Sequence, residues 1–206
     1  MSEAEVRATL GVSRETLALF DAYLAELARW NERINLVSRR SLDVAWQRHI
    51  LDSAQLYALA GDREGLWVDL GSGGGLPGIV IAIMAREDKR FSVRLIEADT
   101  RKATFLNHII GTLDLPACVE ISRIEASAPV AADVISARAL APLPALLRLA
   151  ERFATLKTLC LFPKGRGSAT ELTAARADWH IEADEVPSRS EPDGTILVIR
   201  QFRARA

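Results

Sequence analysis

Between residues 13 and 30, apolar side chains recur at helical intervals: Leu17, Phe20, Tyr23, Leu24, Leu27 and Trp30. That spacing gathers them on one face of a helix, with Ser13 placed to cap its start. A second helix is expected from Ser41 through "LDVAWQRHI", and a third from near Asp52 through "SAQLYALA". After "AGDREG" (60–65), which reads as a linker, the period changes. "LWVDL" (66–70) is a short apolar run of the kind that forms a buried strand. Pro77 can then open a helix that runs through Ala85.

The alternation continues to the C-terminus. "SVRLIE" (92–97) predicts a second strand, and "TRKATFLNHIIGTL" (100–113) a helix capped at Thr100. "ACVEI" and "DVISA" predict strands three and four, a helix covers about 143–153, and "TLCLFPK" is a fifth strand. "HIEADEV" and "TILVIR" flank the turn "EPDG" and read as an antiparallel pair. Strands alternating with helices predict an α/β fold with a mostly parallel sheet covered on both faces. The expected division is a helical appendage over 1–60 and a Rossmann-like domain over 61–206.

The chemistry concentrates at "DLGSGGGLPG" (69–78), which places five glycines and a proline behind the first strand. In a doubly wound sheet that turn is where a nucleotide-like cofactor approaches the backbone. Gly73, Gly75 and Gly78 fit G-x-G-x-x-G. Gly71, Gly73 and Gly75, with Asp69 two residues before them, fit acidic-x-G-x-G-x-G. A carboxylate at the strand end, facing the cleft, would repel a dinucleotide's pyrophosphate. It would suit the cationic, phosphate-free S-adenosylmethionine. Glu97 ends the second strand, where an acidic side chain can accept from the ribose hydroxyls of either cofactor.

Composition narrows the picture. The 206 residues are 49% apolar and 26% charged, as expected of a soluble globular chain of one domain, with or without an appendage. No apolar run approaches the roughly 20 residues that span a bilayer. "MSEAEVRATL" lacks the features of a signal peptide, so a cytoplasmic location is expected. Cys118 and Cys160 lie in strand-like runs and are expected to be reduced and buried. His49, His108 and His180 have no partners at ligand spacing, so no metal site is expected. The net charge of −1 is low for a nucleic-acid binder, and any RNA contact must rest on a local patch.

"DLGSGGGLPGI", "LIEADTRKATFL", "SRIE" (122–125), "ISARAL" (135–140) and "FPKG" (162–165), with "WNERINLVS" (30–38) and "RHILDS" (48–53), resemble the ribosomal RNA small subunit methyltransferase G family. This family is also called the glucose-inhibited division protein B family. The resemblance covers roughly residues 25–205. It implies the class I S-adenosylmethionine-dependent methyltransferase fold and methylation of N7 of one guanine in 16S rRNA. The implied partner is 16S rRNA or the small ribosomal subunit, and the expected state is a monomer. Gly71 and Leu76 would line the cofactor, Ile124 and Glu125 would hold the adenine, and Arg138 would complete the pocket.

Guanine N7 carries an in-plane lone pair and no proton, so its methylation calls for positioning and electrostatics rather than a general base. The segment "SARALAP" after the fourth strand agrees, since it holds no amine-clamping motif. Arg138 has three available roles: donating to guanine O6, binding a phosphate, or holding the cofactor. The resemblance favours the last. His49 and Asp52, three residues apart on a helix, read as a structural pair. Trp30 and Trp46 read as core. Arg39, Arg40, Arg48, Arg101, Lys102, Arg123, Lys164 and Arg166 are the candidates for an RNA-binding patch around the cleft. Three other readings share the fold: an NAD-dependent oxidoreductase, a noncatalytic RNA-binding module and a small-molecule methyltransferase. The first leaves Asp69 unexplained and lacks a Tyr-Lys or His-Asp arrangement.

Overall fold

The computed structural model describes residues 1–205. The N-terminal segment folds into α1 (Glu3–Leu10), α2 (Arg14–Asn31), α3 (Arg39–Leu42), a π-helical turn over Trp46–Leu51 and α4 (Asp52–Leu59). The alternating part comprises β1 (Gly65–Leu70), α5 (Gly78–Asp88), β2 (Phe91–Glu97), α6 (Thr100–Leu113), β3 (Ala117–Ile121), a 3-10 turn (Ile124–Ala126), β4 (Val134–Ser136), α7 (Leu143–Ala150) and β5 (Leu159–Lys164). It closes with α8 (Ser168–Asp178), β6 (Trp179–Pro187) and β7 (Thr195–Ala204).

The strands form one seven-stranded sheet in the order β3-β2-β1-β4-β5-β7-β6. β1 to β5 are parallel, while β7 pairs antiparallel with both β5 and β6. The chain moves outward from β1 through β2 to β3, then returns to the other side of β1 for β4 and β5. The carboxyl ends of β1 and β4 therefore flank the switch point, where such sheets bind ligands.

Pleating divides the interior in two. Trp67, Val93, Leu95 and Leu161 face one core with α2, α4, α5 and α6. Val68, Leu70, Ile135, Cys160 and Phe162 face the other with α7 and α8. The first core includes Val6, Phe20, Tyr23, Leu27, Ile50 and Leu56, so the N-terminal helices bury their apolar stripes against the central sheet.

Several local expectations change. Ser13 does cap α2, accepting from Thr16 N at 3.1 Å. The cap of α6 is Asp99, not Thr100: its carboxylate accepts from the backbone N–H groups of Arg101 and Lys102. A carboxylate satisfies the orphan donors there and suits the positive helix end. α1 went unnoticed because Val6 is its one buried residue and its stripe is weak; α8 has a similarly weak stripe. The helix expected from Ser41 is split into α3 and the π-helical turn, which runs directly into α4. α7 stops at Ala150, short of 153. Cys160 is buried, but Cys118 is exposed because β3 is an edge strand.

Candidate active site

The cofactor side is built from backbone and one carboxylate. Gly71 N and Ser72 N both donate to Ile96 O, at 2.9 and 3.1 Å, which turns the loop toward the end of β2. There Glu97 Oε2 accepts from Gly73 N at 2.7 Å, and Oε1 accepts from Asp99 N at 2.8 Å. One carboxylate thus fixes both the glycine loop and the start of α6. Gly73 has φ +56, and a Cβ there would find nothing nearer than Gly71 O at 3.8 Å. Its open side is free for a ligand.

Gly78 is small for the opposite reason. A Cβ there would fall 2.1 Å from a Leu95 methyl and 2.8 Å from Asp69 Oδ2. Asp69 accordingly lies beneath the loop rather than in the cleft. It is fully buried, accepting from Ser136 Oγ at 2.7 Å and Gly78 N at 3.3 Å. The expectation that this carboxylate faces the cleft is therefore corrected, and with it the argument that it repels pyrophosphate directly. Burial pushes its pKa up to about 6, against the pull of Ser136, Ser72 and Gly78. Asp69 fastens β1 to β4 and holds the start of α5.

The remaining cofactor-side candidates gather at the same sheet edge. Gly75 and Leu76 are buried in the loop, and Ile124 is buried in the 3-10 turn after β3 beside exposed Glu125. Tyr23 Oη donates to Gly74 O at 2.6 Å, so α2 clamps the loop from above. Glu97 is buried at the end of β2, and with the glycine loop it forms a carboxylate-and-glycine cradle that fits a ribose-bearing cofactor.

The acceptor side is different. A cleft of about 470 Å³ lies beyond β4 and β5, lined by Arg48, Asp52, Arg138, Lys164, Glu171 and Glu191 among others. Arg138 is held by three residues of the N-terminal segment. It donates to Arg48 O at 3.0 Å, Asp52 Oδ2 at 3.1 Å and His49 Nδ1 at 3.2 Å. His49 and Asp52 do not pair with each other; both converge on this guanidinium. Burial, together with the charges of Arg138 and Arg48, pushes the His49 pKa down to about 3. A neutral His49 accepting at Nδ1 carries its proton on Nε2, which lies 3.0 Å from Ser41 Oγ, and Ser41 donates onward to Ser38 O. Asp52 also accepts from Ser190 Oγ at 2.6 Å, which brings in the turn between β6 and β7. The residue after Arg138, Ala139, has φ 53, a left-handed conformation that costs a non-glycine residue roughly 1–2 kcal/mol.

The RNA candidates separate into free and engaged groups. Arg39, Arg40 and Arg123 are exposed. Arg48 is paired with Glu191, and Arg101 with Asp99 at 3.0 Å. Arg166 pairs with Asp193 at 2.8 Å and stays exposed. Lys102 is half-buried at the start of α6. Lys164 is largely enclosed: its ammonium donates to Ala141 O at 2.9 Å and Glu171 at 2.8 Å. It braces the 138–142 loop and is not a free phosphate ligand. Asp52, Glu171 and Ser190 were not singled out as site residues in the sequence, where only the spacing of Asp52 from His49 gave a hint. Among the described residues no His/Cys/Asp/Glu group could hold a metal ion, and no helix is long and apolar enough to cross a membrane.

Comparison with known proteins follows the same geometry. The family GidB, described as rRNA small subunit methyltransferase G, matches residues 16–195. A "Ribosomal RNA small subunit methyltransferase G" of Rhodospirillum centenum is 48% identical over 201 residues, covering 98% of this chain and 91% of that protein. Its namesake in Cereibacter sphaeroides is 46% identical, covering 97% and 98%. Among solved structures, MtNAS in complex with MTA and tNA superposes with a TM-score of 0.59 at 18% identity, over 86% of this chain and 69% of that one. The fold is that of the class I S-adenosylmethionine-dependent methyltransferases. The chain that carries this glycine loop and this anchored arginine belongs to the rRNA small subunit methyltransferase G family.

Proposed function

We propose that the protein transfers a methyl group from S-adenosylmethionine to N7 of one guanine in 16S rRNA. One observation carries the reading of the chemistry. Each carboxylate lining the acceptor cleft is held by a cation: Asp52 by Arg138, Glu171 by Lys164, Glu191 by Arg48. Such a cleft positions an acceptor and tunes its electrostatics, but it presents no free proton acceptor. Guanine N7 needs none, because its lone pair attacks without losing a proton.

When bound, the cofactor supplies an electrophilic methyl group on a sulfonium. Glu97 is assigned to its ribose hydroxyls. Gly71, Gly73, Gly75 and Leu76 form its floor, with Asp69 supporting them from below. Ile124 and Glu125 hold the adenine, and Arg138 closes the pocket toward the acceptor. Residues 1–60 serve as an appendage covering the loop of a catalytic domain over 61–206. The substrate is 16S rRNA or the small ribosomal subunit, and the enzyme works as a cytoplasmic monomer.

The test is tritium transfer from labelled S-adenosylmethionine to small subunits of a strain lacking this protein, followed by mapping of the labelled base. Label on N7 of a single guanine is expected. Label on an exocyclic amine, on protein or on a small molecule would overturn the proposal.

A further inference from the structure

A second cavity lies between the C-terminal end of α2 and the start of α6. It measures about 430 Å³ and is lined by Arg29, Trp30, Arg33, Ile34, Arg101 and Thr104. Three of its six lining residues are arginines and none is acidic. Trp30 is half-buried, whereas Trp46, Trp67 and Trp179 are buried. The Trp30 indole is braced by Phe105 at 5.6 Å and His108 at 5.5 Å between ring centroids. The ring is therefore held in one orientation while part of it remains open to the cavity.

The charges around it are arranged for exchange. Arg29 pairs with Glu26 and is 64% exposed; Arg101 pairs with Asp99 and is 74% exposed. Glu26 is also bonded to His108 at 2.9 Å. Arg33 is exposed and pairs with no carboxylate among the described residues. Exposed pairs of this kind contribute little, so a phosphate can take their arginines cheaply. Arg101 sits two residues from Asp99, whose N–H donates to Glu97. The cavity therefore opens beside the ribose end of the cofactor site.

We infer that this cavity binds a single-stranded nucleotide of the substrate RNA other than the methylated guanine. Its base stacks on Trp30, and its flanking phosphates engage Arg33, with Arg29 and Arg101 assisting. An aromatic face rimmed by guanidinium groups is the arrangement that proteins use to hold unpaired bases. A purely apolar partner would leave Arg33 without a counter-charge and cover two further guanidinium groups, which argues against a hydrophobic peptide. The inference rests on the RNA-methyltransferase reading above.

Two variants test it: Trp30→Leu, which keeps an apolar side chain under the cavity, and Arg33→Gln on the exposed rim. Base stacking on an aromatic residue is worth roughly 1–3 kcal/mol, or about 5- to 150-fold in affinity. Trp30→Leu should raise KM for 16S rRNA within that range while kcat and cofactor affinity stay near wild type. Trp30→Phe should restore most of the loss. Arg33→Gln should lower the salt slope of RNA binding by about 0.7, the single-strand value for one phosphate contact. Ultraviolet cross-linking of the wild-type protein to a short oligouridylate should mark the peptide carrying Trp30, whether or not the rRNA proves to be the methyl acceptor. That cross-link separates failure of this site from failure of the proposed reaction. An unchanged KM in Trp30→Leu, with an unchanged salt slope in Arg33→Gln, would overturn the inference. Loss of affinity for the assembled 30S particle alone would overturn it too, because the cavity would then serve a ribosomal protein.

Discussion

The two sides of the cleft are built on different length scales. On the cofactor side, the bonds of Glu97 join residues close in sequence: it reaches Gly73, 24 positions away, and Asp99, two positions away, while Tyr23 and Ser136 brace the loop and Asp69 from 51 and 67 positions away. On the acceptor side, Arg138 reaches Arg48, His49 and Asp52, which are 90, 89 and 86 positions away. Asp52 and Ser190 are 138 apart. The first side centres on one βαβ unit of β1, α5 and β2, braced from outside by α2 and β4. The second exists only once the N-terminal helices, the loop after β4 and the turn between β6 and β7 have met. A local cradle suits a cofactor shared by many enzymes. A long-range assembly suits a substrate particular to one.

The largest expected effect breaks the cofactor side alone. Gly73→Asp places a side chain into the open space above the loop and a negative charge beside Glu97. Aspartate tolerates the left-handed conformation better than most residues, and a Cβ meets nothing within 3.4 Å, so the fold should survive. S-adenosylmethionine binding by calorimetry should fall by more than about 100-fold, the equivalent of some 2.7 kcal/mol. Thermal unfolding should stay within a few degrees of wild type. Normal binding would show that Gly73 does not face the cofactor.

The second effect addresses the junction. Arg138→Ala leaves Asp52 without its cation and removes a charge-assisted hydrogen bond worth roughly 1.5–3 kcal/mol. Cofactor affinity, or the single-turnover rate, should fall by about 10- to 150-fold. Arg138→Lys should rescue only in part. An ammonium lacks the planar fork that reaches Arg48 O, Asp52 and His49 together. Wild-type values for both quantities in Arg138→Ala would remove it from the site.

The same contrast explains what was legible in the sequence. The glycine loop, Glu97 and the alternation of strands and helices around them follow from periodicity and motif, because the bonds of Glu97 lie within one βαβ unit and its flank. The motif marks Asp69, but the carboxylate lies beneath the loop and not in the cleft. Motif spacing does not reveal that Gly78 lacks a side chain in order to let a buried carboxylate approach. Lys164 looked like a phosphate ligand because a lone lysine after a strand carries no sign of Glu171 and Ala141 O closing on it. His49 and Asp52 looked like a pair, being three residues apart. Their shared partner lies in the loop after β4, and nothing local points to it. Weakly striped helices such as α1 and α8 escape for a related reason, since packing rather than pattern stabilises them.

A third measurement sharpens the comparison through pH. Folded His49 is held neutral, with its pKa down at about 3 from 6.5. The unfolded chain therefore binds the extra proton between pH 6.5 and 3, and stability falls as pH falls through that window. From pH 7 to pH 5 the loss from this one group is about 2 kcal/mol. His49→Asn keeps an acceptor for Arg138 and removes the titration. Its denaturant-unfolding free energy should decline less between pH 7 and pH 5 by that amount. Identical slopes for the two proteins would place the neutral imidazole outside the folding equilibrium. On the cofactor side Asp69, pushed up to about 6, contributes with the opposite sign over this window, so the loss belongs to the long-range assembly.

The smallest effect concerns the outermost reach of the acceptor side. Arg39 and Arg40 form the start of α3, are exposed, and follow Ser38, whose carbonyl anchors the Ser41–His49–Arg138 chain. Neither lines the acceptor cleft, but both stand exposed next to the residues that hold Arg138. Each phosphate contact in duplex RNA or DNA steepens the dependence of log affinity on log salt by about 0.9 at most. Arg39→Ala combined with Arg40→Ala should therefore flatten the salt slope of rRNA binding by up to about 1.8 and weaken binding most at low salt. Cofactor affinity should remain unchanged, since neither residue contacts the glycine loop, Glu97 or Arg138. The double variant should also keep the pH response of the wild type, because Ser38 accepts through its backbone and not through either arginine. If RNA binding is unaffected, the footprint stops at the cleft, and the long-range assembly serves to hold Arg138 rather than to meet the RNA. If cofactor affinity falls as well, the two sides are coupled through α3, and their separation by length scale does not extend to their function.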